Sequence, residues 1–342
     1  MKAVIFKQHG GPEVLEYTDV ADPTIKANEV LVEVKACALN HLDVWARGGL
    51  PGISIPLPHI LGNDIAGVVR EAGDLVSWVR RGDEVMLHPG VSCGHCDECL
   101  AGRDNLCREY DILGYGRDGG YAELVAAPGV NVIPKPKNLS WEEAAALPLV
   151  TVTAWHMLVS RAAVQPGEDV LVHAAGSGVG SIGIQVAKLR GARVIATASS
   201  EDKLVKAKEL GADEVVNYSK EDWPKEVKRL TNRKGVDVVF EHTGSATWPG
   251  SISSLKTNGR LVTCGATSGF DAHTDLRQVF YRHLTILGSF MGSKSELLEA
   301  MKFIESGKIR AVVDQTLPLR DAKRAHELMQ NRLQFGKLVL IP

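Results

Sequence analysis

Four of the six cysteines in this 342-residue chain fall within CGHCDECLAGRDNLC, residues 93–107. Cys93, Cys96, Cys99 and Cys107 give the spacing C-x2-C-x2-C-x7-C. Four thiolates in so short a loop can close a tetrahedral shell around zinc. A shell closed by four protein ligands leaves no position for water or substrate, so this metal would hold the loop and take no part in chemistry. One structural zinc is therefore expected, bound by these four residues. Unrelated reduced cysteines would have no reason to keep that spacing.

A second stretch, VLVHAAGSGVGSIGIQ, sets a glycine-rich turn between an apolar strand and a helix. A diphosphate can rest on backbone N–H groups at a helix N-terminus only where no side chain blocks its approach. Aligned on its last glycine, the six-position fingerprint reads Ala175-Gly176-Ser177-Gly178-Val179-Gly180. Small residues are kept throughout and strict glycine is not. The next strand, RVIATASSEDK, has Ala198 where an acid would hold the ribose 2′-hydroxyl of NAD. Ser199 and Ser200 can hydrogen-bond a 2′-phosphate, and Lys203 can neutralise it. NADP(H) is expected over NAD(H), although the same letters also suit an ordinary helix N-terminus.

These groups need a scaffold, and the texture of the chain supplies one. Residues 1 to about 135 read as short β-branched strands (LVEVKACAL, AGVVREAG, DEVMLH) punctuated by Gly and Pro. In VIPKPKNLSWEEAAAL, two prolines stiffen a connector, and Ser140 with Glu143 forms a capping box that opens a helix. From about 168, apolar strands alternate with helices, the pattern of a parallel sheet covered on both faces. The tail carries two helices and a last strand, GKLVLIP, that the first domain can reclaim.

The length calls for more than one core. A hydrophobic content of 44% with 23% charged residues is that of a globular protein, not a disordered one. Thirty-nine basic against 41 acidic side chains give a net charge of −2, so no field draws the chain to nucleic acid or membrane, and neither is expected as a partner. MKAVIFKQHGGPEVLEY is too briefly apolar for a signal peptide. A cytoplasmic location is expected, where clustered thiols stay reduced.

With the cysteine lobe, the glycine turn and their order in hand, the chain resembles the medium-chain dehydrogenase/reductase superfamily. That superfamily includes the zinc alcohol dehydrogenases and the quinone oxidoreductases. The likeness runs through GGPEVLE, LPHILGNDIAGVV, GDEVMLHPG, the cysteine lobe, VLVHAAGSGVG and LGADEVVNY. It implies an α/β fold: a GroES-like β-rich catalytic domain (1–148), a doubly wound Rossmann domain with a six-stranded parallel sheet (149–288), and a C-terminal return to the catalytic domain (289–342). The cysteine lobe matches the superfamily's structural zinc site.

The resemblance puts catalytic-zinc ligands at Cys37, at Asn63-Asp64 and at Leu149. Only the first is a good ligand, since an amide and an alkyl group bind zinc poorly. Cys37, Asp64 and His59 could still form an irregular site. The zinc-independent quinone oxidoreductase branch fits the segment better, with its N-x-x-D element at Asn40-His41-Leu42-Asp43. Lys203 and Tyr218 fall where that branch holds the 2′-phosphate of NADPH. The resemblance also assigns Thr243 to the cofactor, and Gly265, Ala266, Gly288, Ser289 and Phe290 to its nicotinamide end, in the cleft between domains. The cysteine lobe departs from typical quinone oxidoreductases, so the chain combines the structural zinc of one branch with the active-site letters of the other.

The implied reaction is hydride transfer between NADP(H) and a small-molecule substrate: a carbonyl, an enone or enal, or a quinone. Asn40 either donates to the substrate oxygen or stabilises a turn. Asp43 fixes the neighbouring loop, Cys37 lies beside them, and His41 and Tyr115 are candidate proton donors. Two other readings stay open, a zinc alcohol dehydrogenase with a degenerate ligand set and a catalytically silent dinucleotide-binding protein. A homodimer or homotetramer is implied by the family's edge-to-edge pairing.

Overall fold

The computed structural model describes residues 1–50, 52 and 54–342. It divides into two compact units, Met1–Leu149 with Ser293–Leu298 and Ala311–Pro342, and Val150–Gly292 with Glu299–Arg310.

The first unit is built on strands. Besides the short strands Glu16–Asp19, Gly90–Val91 and Asp111–Ile112, these are β1 (Lys2–Phe6), β2 (Glu29–Ala38), β3 (His59–Ile60), β4 (Asp64–Ala72), β5 (Glu84–Leu87), β6 (Leu124–Pro128) and β7 (Val132–Pro134). Helix α1 (His41–Gly48) follows β2, and α2 (Trp141–Ala145) follows β7. The capping box read from the sequence is present at α2, where Ser140 Oγ accepts the Glu143 N–H at 3.2 Å and Glu143 Oε2 accepts the Ser140 N–H at 2.9 Å. Helix α1 interrupts what reads in the sequence as continuous strand and turn. Its start is set by Asn40, an extended N-cap residue whose N–H is taken by Asp43 in the first turn.

In the second unit, strands and helices alternate: β8 (Asp169–Val172), α3 (Gly178–Leu189), β9 (Arg193–Ala198), α4 (Glu201–Glu209), β10 (Glu214–Asn217), α5 (Trp223–Leu230), β11 (Val236–Glu241), α6 (Trp248–Ser254), β12 (Leu255–Thr263), α7 (Leu276–Tyr281) and β13 (Thr285–Gly288). The six strands form one parallel sheet in the order β10-β9-β8-β11-β12-β13. Strand order reverses between β8 and β11, the doubly wound arrangement whose carboxyl edge holds a ligand. Leu171, Ile195, Val216, Val239 and Leu261 are buried in its core, which explains why these strands read as unbroken apolar runs. TILGSFM ends as a strand at Gly288, earlier than its apolar letters extend.

The tail adds β14 (Val313–Pro318), α8 (Ala322–Gln330) and β15 (Lys337–Ile341) to the first unit. Strand β15 pairs with β2 through Val339↔Ala38 and Leu340↔Cys37, completing a sheet ordered β7-β5-β4-β2-β15-β14, with β6 also on β2. The last strand is thus reclaimed as its sequence implies. Its neighbour β14 is short of hydrophobic alternation and is not legible as a strand.

Candidate active site

The polar centre of the first unit forms where β2 ends, α1 begins and β15 passes alongside. Cys37 is the penultimate residue of β2 and is fully buried. Glycine is required at 62 and 120 beside it, because a Cβ at either would lie within 3 Å of Cys37 Sγ. Burial, and then Asp43 and Asp64, raise the thiol well above its ordinary pKa, so it is held protonated.

Asp43 is also wholly buried and spends both oxygens on backbone, accepting Asn40 N–H at 2.7 Å and Gly62 N–H at 3.0 Å. Burial pushes its carboxyl up to about 7, against the two N–H donors that favour the charged form. Asp43 thereby ties the start of α1 to the Gly62 turn.

Asn40 is buried and its amide is engaged at both ends. Nδ2 donates to Asp64 Oδ2 at 2.9 Å and, at 3.4 Å, to Asn63 Oδ1, while Oδ1 accepts from Lys337 Nζ at 2.6 Å. Lys337 also donates to Asp64 Oδ2 at 2.8 Å, and the remaining carboxylate oxygen of Asp64 accepts the Leu149 N–H at 2.7 Å. Asn63 gives its own Nδ2 to the Leu113 carbonyl at 2.8 Å. Sequence reading did not identify Lys337. Its one signal is a lysine leading an otherwise apolar strand, KLVLI.

These contacts decide how a catalytic metal would fit. At the places the resemblance gives to its ligands, Asn63 is an amide committed to backbone, Leu149 offers only a backbone N–H, and Cys37 is a buried thiol. His59 lies in β3 with Nδ1 3.4 Å from Asp118 Oδ1 and its ring edge-on to Phe6. Among the described residues, the groups of three or more ligands able to hold a metal lie in the cysteine lobe and include neither Cys37 nor Asp64. The centre does not fit a catalytic zinc. His41 and Tyr115 are half-buried, and burial raises the Tyr115 phenol.

The cysteine lobe does fit a metal. All four Sγ atoms lie within 4.8 Å of one another, with Cys96 and Cys99 3.5 Å apart and Cys93 and Cys99 3.9 Å apart. A tetrahedral zinc with Zn–S bonds near 2.3 Å has sulfur–sulfur edges of about 3.8 Å. The N–H groups of His95 and Cys96 lower Cys93 to about 6, which favours the thiolate.

In the second unit, the cofactor candidates gather along one edge of the sheet. Gly176 to Gly180 follow β8, Ser199, Ser200 and Lys203 follow β9, and Tyr218 follows β10. Thr243, Gly265 with Ala266, and Ser289 with Phe290 follow β11, β12 and β13, and Gly288 ends β13. Ser177 caps α3, its Oγ accepting the Gly180 N–H at 2.8 Å. A Cβ at Gly180 would come 2.4 Å from the Ala174 carbonyl, so the last glycine of the fingerprint is obligatory. The first-turn N–H groups of Gly178 and Val179 have no intrahelical acceptor and suit an anion. Ala198 is buried and apolar, whereas Ser199, Ser200 and Lys203 are half-buried and Tyr218 is exposed.

Two family models match, the alcohol dehydrogenase GroES-like domain over residues 26–137 and the zinc-binding dehydrogenase over residues 178–306. The chain belongs to the medium-chain dehydrogenase/reductase superfamily. It is 33% identical to an NAD-dependent alcohol dehydrogenase of Saccharolobus solfataricus, with all of both chains covered. It is 32% identical to quinone oxidoreductase 1 of Escherichia coli over 98% of each chain. A solved NAD-dependent alcohol dehydrogenase shares 54% identity over the full length of both chains, with a TM-score of 0.97. As a medium-chain dehydrogenase/reductase, the protein is an oxidoreductase acting on a small molecule, with a GroES-like and a Rossmann domain.

Proposed function

We infer that this oxidoreductase transfers hydride between NADP(H) and a small carbonyl, enone, enal or quinone without a regular catalytic zinc. One observation carries the reading: Asp64, the single carboxylate among the expected ligand positions, is bound to Lys337 and Asn40, while Asn63 presents only a neutral amide and Leu149 no side-chain ligand. Bound nicotinamide supplies the hydride. The α3 N-terminus, capped by Ser177, receives the diphosphate, and Gly265, Ala266, Gly288, Ser289 and Phe290 hold the nicotinamide end. Ser199, Ser200, Lys203 and Tyr218 take the 2′-phosphate, with Ala198 leaving no acid to repel it. Charge on the substrate oxygen is balanced by protein groups of the Asn40–Asp43–Cys37 region. The likeness to two NAD-dependent alcohol dehydrogenases supports a second reading, NAD(H)-dependent alcohol oxidation.

The cysteine lobe supports one structural zinc per chain and a reducing, cytoplasmic setting. Strand β13 lies at the edge of its sheet and is largely exposed, which supports edge-to-edge pairing into a homodimer or homotetramer.

Zinc stoichiometry combined with a survey of enones, quinones and alcohols against both cofactors tests the reading. The expected result is one zinc per chain and NADPH-dependent reduction. Two zincs with alcohol oxidation would overturn it in favour of the alcohol dehydrogenase reading. NADPH binding with no turnover of any substrate would instead favour a silent binding protein. Among the described residues, no helix is long and apolar enough to cross a membrane.

A further inference from the structure

The short strands Gly90–Val91 and Asp111–Ile112 pair antiparallel through Gly90↔Ile112 and Val91↔Asp111. Carried two residues further, the same register sets Cys93 opposite Glu109. His95 joins them from the cysteine loop, its Nδ1 2.9 Å from the Cys93 carbonyl oxygen. A carbonyl can only accept, so Nδ1 holds the ring proton and Nε2 presents a lone pair, the usual orientation of a metal-binding histidine. One ligand atom from each of Cys93, His95 and Glu109 lies within 4.8 Å of the other two. In the same loop, Glu98 is instead spent on Arg103, whose Nε donates to it at 2.6 Å.

A thiolate, an imidazole and one carboxylate suit a borderline divalent cation of the zinc class, and not Mg2+ or Ca2+, which take oxygen ligands. Bonds of about 2.3 Å to sulfur and about 2 Å to nitrogen and oxygen set the ligand atoms roughly 3.5 Å apart. His95 and Glu109 are both exposed and can close inward to that spacing. A zinc-bound thiolate keeps lone pairs, so Cys93 can serve the four-thiolate shell and a second ion together. We propose that Cys93, His95 and Glu109 form a second, solvent-facing metal site, taking a zinc-class divalent cation that shares the Cys93 thiolate with the structural zinc. With three protein ligands, one of them shared, this site is weaker than the closed shell and empties on desalting. The proposal rests on the four-thiolate zinc of the reading above. A second zinc counted in metal-rich buffer then belongs to the lobe and not to the Cys37 centre.

The test adds Co2+ as the probe to desalted, zinc-loaded full-length protein. Wild type is expected to bind one Co2+ per chain while keeping its zinc, with a thiolate-to-cobalt absorption. His95→Ala and Glu109→Gln should each weaken Co2+ binding at least about tenfold and leave the zinc content unchanged. Both side chains are exposed, so neither substitution threatens the fold.

Wild type that takes up no ion beyond its zinc would sink the proposal. So would Co2+ uptake that both variants share unchanged, or that lacks the thiolate absorption. In each of these cases the four-thiolate zinc stands. A chain that holds one ion in all, lost in His95→Ala and kept in Cys107→Ser, would instead sink the four-thiolate reading and support the three-ligand site on its own.

Discussion

Asp64 and Lys337 form a buried ion pair at 2.8 Å, and neither side chain reaches water to any useful extent. Breaking such a pair leaves one charge uncompensated, at a cost of about 3–5 kcal/mol, whereas removing both charges together costs much less. Asp64→Asn and Lys337→Met should each lower unfolding stability by that order, and the double variant should recover at least half of the summed loss. Denaturant unfolding of all four proteins measures this, and strict additivity would show that the two charges do not interact. In the second unit, Lys203→Ala should raise the KM for NADPH about tenfold, or about 1.4 kcal/mol, while leaving that for NADH nearly unchanged. Equal effects on both cofactors would remove the argument for NADP(H).

Among the elements, α1 and α8 meet through a buried histidine. Arg47 donates from Nη1 to His326 Nδ1 at 2.8 Å, so the neutral ring carries its proton on Nε2 and donates it to Tyr121 Oη at 3.2 Å. Burial, and then the Arg47 charge, lower His326 from 6.5 to about 3. The unfolded chain therefore binds a proton below about pH 6.5 that the folded chain refuses until about pH 3. Stability from this group is complete above the unfolded value and is lost as pH falls, on the order of 4 kcal/mol by pH 3. His326→Gln can accept from Arg47 and donate to Tyr121 without titrating. Melting temperature followed from pH 7 to pH 4 should fall less steeply in this variant than in wild type, and parallel curves would refute the assignment.

Legibility in the sequence follows the range of the contacts. The second unit was readable strand by strand because both faces of each strand are buried, which writes unbroken apolar runs such as DVLV and VDVVFE. Ser140 and Glu143, three residues apart, gave their helix start correctly, and Gly180 and the four cysteines were equally local signals. Helix α1 was missed because its start rests on an Asn–Asp pair that reads equally as a turn or an active-site element. Lys337 was missed for a different reason: its partners lie 297 and 273 residues away, and no local pattern records them. Asn40 reads equally as a donor to substrate or as a turn-stabilising amide, because its engagement with Lys337 and Asp64 exists only in three dimensions.

Over the whole molecule, the two units carry separable duties, with the cysteine lobe in the first and the glycine turn in the second. Stripping zinc with a strong chelator should release one equivalent per chain and lower the melting temperature, because the free energy of binding at such a lobe adds to that of folding. Dinucleotide binding, measured by NADPH fluorescence, should survive that treatment. Its complete loss would mean that the lobe supports more than its own loop.

The lysine of β15 sits five residues before Pro342, whereas its partner Asn40 lies close to the start of the chain. During synthesis the central strand β2, made early, must wait for β15, whose Val339 and Leu340 pair with its Ala38 and Cys37. The first unit therefore closes its sheet only after the second has been made, so the segment that begins this fold is also completed late.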